Sequence, residues 1–151
     1  MSKSTKEIKL IFLSSEFYSD YPKRNYSEIL IKHDRPYIMF KVTIDDIDFA
    51  IPFRSNIPHK NAFFTDEKNK CGIDYSKSIV IKKPIYINIS EQPTIRANEF
   101  KIFKSKDYII KNEFKKYLKE YKKAAKKQDV KRNKDFCQFS SLQYFHSDIG
   151  L

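Results

Sequence analysis

Apolar and polar residues fall in blocks along this chain, and the blocks predict strands first and a long helix late. Tyr37 to Ile44 and Ile47 to Phe53 are rich in aromatic and β-branched residues, with only Asp45-Asp46 between them. Two such runs around a tight acidic turn predict a β-hairpin. Both runs are nearly continuously apolar, which puts them at the centre of a sheet. Ile8 to Leu13 predicts another strand, as do Ser78 to Lys82 and Ile85 to Ile89 on either side of Pro84; Ile95 to Phe103 predicts one more, short strand. Ser14 to Pro22 predicts a single helical turn, capped by Ser15 and ended by Pro22. Lys23 to Asp34 fits a short helix or a loop, and Thr65 to Lys70 reads as a hydrophilic loop.

From Asp107 to Lys134 the period changes. Ile110, Phe114, Tyr117, Leu118, Tyr121, Ala124 and Ala125 recur at spacings of three and four, the apolar stripe of one long helix. The tail regains Phe136, Phe139, Leu142, Tyr144, Phe145 and Ile149, too many apolar residues for disorder, so it is expected to pack back on the sheet and to bring His146 with it. The order predicts one compact α+β domain over residues 1–151, built on an antiparallel, partly barrelled sheet.

Composition narrows the function. With 13 Phe and 10 Tyr in 151 residues, the chain can build one core, and it is too short for two ordinary domains. Only two glycines are present, which excludes Gly-rich phosphate loops and dinucleotide fingerprints. Cys71 and Cys137 lack the close spacing of a zinc or redox pair and are expected to be reduced thiols. The apolar run after the charged N-terminus is too short for a signal peptide, and no stretch is long enough to span a membrane; a cytoplasmic location is expected.

Charge changes the picture more. The formal net charge is +11, which makes RNA, DNA or an anionic surface the expected partner. A genome biased towards AT-rich codons explains Lys over Arg but not the excess of bases over acids. Residues 111–134 hold 11 Lys or Arg against the acids Glu113, Glu120 and Asp129, a balance of +8. Lys115, Lys116, Lys119, Lys122, Lys123, Lys126 and Lys127 fall on the polar side of the stripe, where they form either a solvated face or a phosphate-binding one.

The candidate chemistry sits directly after the second hairpin strand, in Pro52-Phe53-Arg54-Ser55-Asn56-Ile57-Pro58-His59-Lys60. No acid stands within this loop. His59 can carry a proton near neutral pH, while Arg54, Ser55 and Lys60 can hold a phosphate. Together they fit attack of an RNA 2′-hydroxyl on the adjacent phosphate. Asn56 adds a further polar group. A loop His that only caps backbone groups is the plainer alternative. His33 and His146 are second proton-donor candidates, with structural roles favoured for both. Tyr18, Tyr21, Tyr26 and Tyr37 lie near strand ends, where one or two can stack on unpaired bases; Tyr18 and Tyr37, with Arg35, are the choices for RNA contact. Asp45, Asp46 and Asp48 read as a turn and not as a metal site, and neither a metal nor a cofactor is expected.

Several strings carry a resemblance. Leu13-Ser14-Ser15-Glu16-Phe17-Tyr18, Ala50-Ile51-Pro52-Phe53-Arg54-Ser55, His59-Lys60-Asn61-Ala62-Phe63-Phe64-Thr65-Asp66 and Gly72-Ile73-Asp74-Tyr75-Ser76-Lys77 resemble the toxins of type III toxin–antitoxin systems. The likeness is closest to the CptN and TenpN branches, related to ToxN and AbiQ, and runs through the basic helix to Phe139-Ser140-Ser141-Leu142. It implies a strongly curved antiparallel sheet like that of the Kid and MazF toxins, with an SH3-like barrel core and flanking helices. It implies a metal-independent endoribonuclease leaving a 2′,3′-cyclic phosphate and a 5′-hydroxyl. The implied partners are cellular RNA substrates and a small antitoxin RNA, a pseudoknot that the toxin itself cuts from a repeat array and that inhibits it. Phage defence or plasmid and chromosome maintenance is the implied role. In ToxN the corresponding strand end reads Pro-Leu-Thr-Ser-Pro-Lys. Ser55 matches its Ser, Arg54 stands in place of its Thr, and Ile57 occupies its Lys position, so Lys60 or His59 has to supply the missing group. A non-catalytic RNA- or DNA-binding module is the competing expectation.

Overall fold

The structure is a computed structural model that describes residues 9–31 and 36–151. Arg35 and His33 therefore lie outside the described residues. The strands are β1 (Lys9–Phe12), β2 (Ile38–Ile44), β3 (Ile47–Arg54), β4 (Ala62–Asp66), β5 (Cys71–Asp74) and β6 (Ile79–Val80). The helices are α1 (Ser15–Asp20), α2 (Ala97–Ala125) and α3 (Lys131–Gln138), supplemented by short 3-10 turns. The class is α+β, as expected.

All strand pairs are antiparallel, in the order β1-β2-β3-β5-β4, with β6 pairing β3 off this path. β1 and β4 are the ends of that order, and the sheet of described strands is open, so a closed barrel is not what these strands form. β3 is its axis. One edge of β3 is paired to β2 from Ile47 to Pro52. The other edge changes partner: Phe49 and Ala50 meet β6, and Phe53 and Arg54 meet β5. The predicted hairpin is present, with Ile44 opposite Ile47. Asp45 and Asp46 both have positive φ, 51° and 66°, the backbone shape whose twist matches a two-residue hairpin.

The near-continuous apolar pattern of β3 has a direct cause. Phe49 and Phe53 face α2, whose Phe114 and Phe103 rings lie 5.0 and 5.7 Å away, while the alternate positions Ala50 and Pro52 are also buried. Both faces of the strand are covered, so neither face is polar. Phe103 also meets Phe40 and Phe63, which fixes the first half of α2 across the sheet. A second aromatic group, Phe17, Tyr21, Tyr86 and Phe145, ties α1 to the 3-10 turn Pro84–Tyr86 and to the tail. The tail packs back as expected: Leu142, Phe145 and Ile149 are buried, and the Ser141 hydroxyl donates to the Ser78 carbonyl beside β6.

Several expectations change. The long helix starts at Ala97, ten residues before the expected Asp107, so the short strand expected over 95–103 is absent. Phe103 lies seven residues before Ile110, so the helical period extends backwards into that segment. The helix ends at Ala125, and α3 follows it after a turn. The Gln128 side chain donates to the Ala125 carbonyl, a group that the end of α2 leaves over, and the Asn133 side chain donates to the Lys127 carbonyl in the turn. Residues 84–86 form a 3-10 turn with Pro84 at its start, so the strand expected there shrinks to one bridge between Leu13 and Ile87. Ser14, not Ser15, caps α1: its hydroxyl accepts from the Phe17 N–H and donates to the Ile85 carbonyl. Of the hydrophilic stretch 65–70, Thr65 and Asp66 end β4 and the remaining four residues form the tip of a second hairpin, β4–β5. Among the described residues no helix is long and apolar enough to cross a membrane.

Gly72 sits where β5 passes closest to β4. A Cβ placed there would lie 1.9 Å from the Phe63 carbonyl oxygen, and that backbone cannot turn aside as a side chain would. Gly72→Ala is expected to destabilise the fold by at least about 1–3 kcal/mol. Urea unfolding checks this, and an unchanged midpoint would contradict it.

Candidate functional site

The loop after β3 is held from below. Ile57 is 1% exposed and its N–H donates to the Lys70 carbonyl at 3.0 Å. Asn56 and Lys70 both take positive φ, near 55°, so the loop and the β4–β5 tip bend against each other. Asn suits that backbone because its short side chain tolerates the left-handed region. The burial of Ile57 also explains why no lysine stands there: its charge would be taken out of water.

The loop's charge is neutralised from outside it. Asp74, the last residue of β5, is fully buried, and its carboxylate collects three side chains. Arg54 Nη1 donates to Oδ2 at 3.0 Å, His59 Nε2 lies 3.1 Å from Oδ1, and the Ser76 hydroxyl donates to Oδ1 at 2.6 Å. The Ser76 N–H also donates to Oδ1 at 2.9 Å. Burial alone would push the Asp74 carboxyl up. The hydrogen bonds from His59 and Ser76, with the charge of Arg54 beside them, outweigh it and hold the group below its ordinary value of 3.8. Next to it, the buried Tyr75 donates to Glu113 of α2 at 2.8 Å, which fixes this end of β5 to the long helix.

His59 is engaged at both nitrogens. The Asn61 N–H donates to Nδ1 at 3.0 Å, so Nδ1 carries the lone pair and the proton belongs to Nε2, facing Asp74. A proton can reach Nδ1 only if the Asn61 N–H leaves. Arg54 differs: its side chain is 22% exposed, and a guanidinium has more N–H groups than one carboxylate oxygen occupies. Ser55, Asn56 and Lys60 are exposed.

Two clefts flank this loop. One, of about 800 Å³, is lined by Lys60, Lys123, Lys126, Lys127 and Arg132, with Glu120 as its single acid and Ala124 and Phe136 among its apolar walls. The other, of about 730 Å³, lies between the ends of β1–β3 and the segment leading into α2, and it is rimmed by Arg54 and Ser55. The structure thus brings Arg54 and His59 together on Asp74, and puts Ser55 and Lys60 on different clefts. Lys115, Lys116 and Lys119 are exposed and Lys122 is half-buried, but none of the four lines the first cleft. No lysine of α2 forms an ion pair among the described residues.

The tyrosines are placed differently from the expectation of exposed stacking platforms. Tyr18 and Tyr37 are half-buried against the core, and burial with the neighbouring Tyr37 pushes the Tyr18 phenol up to about 12. Tyr21 and Tyr26 also pack against the core, and their rings touch each other. His146 accepts or donates at Nε2 against the Tyr121 hydroxyl, 2.7 Å away, in a structural contact. Asp45 and Asp46 form the turn, and Asp48 pairs with Lys41. Among the described residues no group of three or more His, Cys, Asp or Glu side chains converges as metal ligands.

No family model matches this chain, and neither a curated protein nor a solved structure does. The resemblance to the type III toxins therefore stands on the residue strings alone.

Asp74→Asn is expected to lower stability near pH 7 by about 3 kcal/mol, at the low end for breaking a buried pair because Arg54 and His59 keep some contact with water. The carboxyl is depressed in the folded state, so its stabilisation is complete above the ordinary value and lost as pH falls through the folded one. Urea unfolding of both forms should therefore show a gap that persists from pH 7 to pH 5 and closes below pH 3.8. A gap that widens on acidification would contradict this.

Proposed function

We propose that this protein is a metal-independent endoribonuclease of the type III toxin class, which cleaves RNA by attack of the 2′-hydroxyl and is held in check by a small folded RNA. The observation that carries the reading is the cleft lined by Lys60 from the loop, Lys123 from α2, Lys126 and Lys127 from the turn after it, and Arg132 from α3. Five cations against one acid form a track for a phosphate backbone, and it runs up to the loop that bears Arg54, Ser55 and His59. The resemblance supplies the reaction; the charge supplies the substrate class. The change of partner along β3 supports the strongly curved, Kid-like and MazF-like sheet that the resemblance implies.

In this reading Arg54 is the phosphate and transition-state group, because Asp74 holds it while other N–H groups of its guanidinium remain for a ligand. Lys60 lies at the mouth of the track as a point charge. Ser55 contributes an exposed hydroxyl. His59 moves protons once the Asn61 N–H turns away from Nδ1. A second reading, a non-catalytic RNA-binding module, is favoured by that same hydrogen bond, since it leaves His59 without a lone pair to use.

Purified protein incubated with RNA in excess EDTA separates the two. The nuclease reading expects cleavage, 2′,3′-cyclic phosphate ends and no cut at a 2′-deoxy position; His59→Ala should then slow cleavage roughly 10²–10⁴-fold. RNA bound but uncut, with or without Mg²⁺, would establish the binding module, and cleavage only with Mg²⁺ would overturn the metal-free mechanism.

The track is tested by salt. Replacing Lys123 and Lys127 by Gln should make the log–log salt dependence of single-stranded RNA binding shallower by about 1.4, at roughly 0.7 per contact. The same change at Lys115 and Lys119, which do not line the cleft, should alter it less. Equal effects of the two pairs would mean that the helix attracts RNA only by its net charge.

A further inference from the structure

The second cleft has a different character from the basic track. Its floor is apolar, with Phe12, Ile38 and Phe53 at the ends of three strands. Arg54 stands at one side. The run-in to α2 and its first turn line the groove with Gln92, Thr94 and Glu99, and also with the charged Glu91 and Arg96. Glu99 is half-buried, with the Thr65 hydroxyl 3.5 Å from its Oε2. The volume of about 730 Å³ falls within the range of small-molecule pockets, roughly 300–1,000 Å³. An apolar floor bordered by hydrogen-bonding groups and by the cations Arg54 and Arg96 is the chemistry of a nucleotide: ring on the floor, base edge on a polar side chain, phosphate on a cation.

We infer that this groove receives one unpaired nucleotide of the RNA, and that Glu99 selects its base. The inference rests on RNA being the partner. Continuity supports it, because Arg54 and Ser55 belong both to this groove and to the loop that adjoins the basic track. A strand following the track across the loop enters the groove with its phosphate beside Arg54. An ionised carboxylate only accepts hydrogen bonds. It therefore favours a base with an exocyclic amino group, such as adenine, cytosine or guanine, over uracil, whose single N3–H lies between two carbonyl oxygens that would face the carboxylate. Gln at position 99 both donates and accepts and would admit either.

The test uses binding, so that it does not depend on cleavage. Fluorescently labelled tetranucleotides of A, C or U, made resistant by 2′-O-methylation, are titrated against the full chain. The expected result is that A or C binds about tenfold more tightly than U, as one good base-edge contact allows, and that Glu99→Gln removes the difference while keeping the wild-type melting temperature. Wild-type protein that does not discriminate, or Glu99→Gln with the ratio intact, would overturn the assignment, as would the absence of binding by any of the three. Selective binding without cleavage of unmodified RNA would leave the groove in place and remove the nuclease. Cleavage whose base preference ignores Glu99 would do the reverse.

Discussion

The side chain of Asp74 has no contact with water, and Arg54, His59 and Ser76 all depend on it. A carboxylate buried without partners would cost several kcal/mol, so the three groups are not optional neighbours. They also come from different places: Arg54 ends β3, His59 lies in the loop after it, and Ser76 follows β5. The one charge therefore closes the loop onto the sheet. It cancels part of the loop's positive charge and leaves Lys60, and the part of Arg54 that Asp74 does not hold, as the groups that can meet a ligand. Gly72 allows this arrangement, because only a residue without Cβ lets β5 run close enough to β4 to deliver Asp74.

Much of the architecture could be read from the chain, for a physical reason. The β2–β3 hairpin was legible because β3 is covered on both faces, β2 carries aromatic and β-branched residues, and the turn needs only two residues. The helix was legible where its stripe is regular, from Ile110 to Ala124. Its start was not, because Phe100 is exposed and Phe103 is followed by the polar run Lys104-Ser105-Lys106-Asp107, so the period weakens there. β4 and β5 were missed because they are short and joined by a polar tip, and β4 is largely half-buried. The tail was legible from its aromatic content alone.

The site was legible in half. The loop advertised its cations, and it was natural to read them as unopposed, since no acid is near them in sequence. The acid that opposes them arrives across a strand pairing, Arg54 opposite Gly72, that sequence order does not show. The signal that was available is local: an Asp closing an apolar strand with a Ser two residues on, which is the pattern of a turn cap and here is one. The division of Ser55 and Lys60 between two clefts was likewise invisible, because it depends on where the run-in to α2 lies. The half-burial of Tyr18 and Tyr37 follows from the demands of a core built largely from aromatic rings.

Asp74 holds the loop by fixing His59 in one tautomer and Arg54 in one position. Long-range proton–nitrogen correlation NMR of the imidazole rings tests this most directly, with the His59 signals assigned through a His59→Gln variant. The expected spectrum of the wild-type protein places the proton on Nε2, facing Asp74, and the lone pair on Nδ1, facing the Asn61 N–H, and that single pattern is lost in Asp74→Asn. A His59 ring that carries its proton on Nδ1, or that averages freely between forms in the wild-type protein, would contradict it.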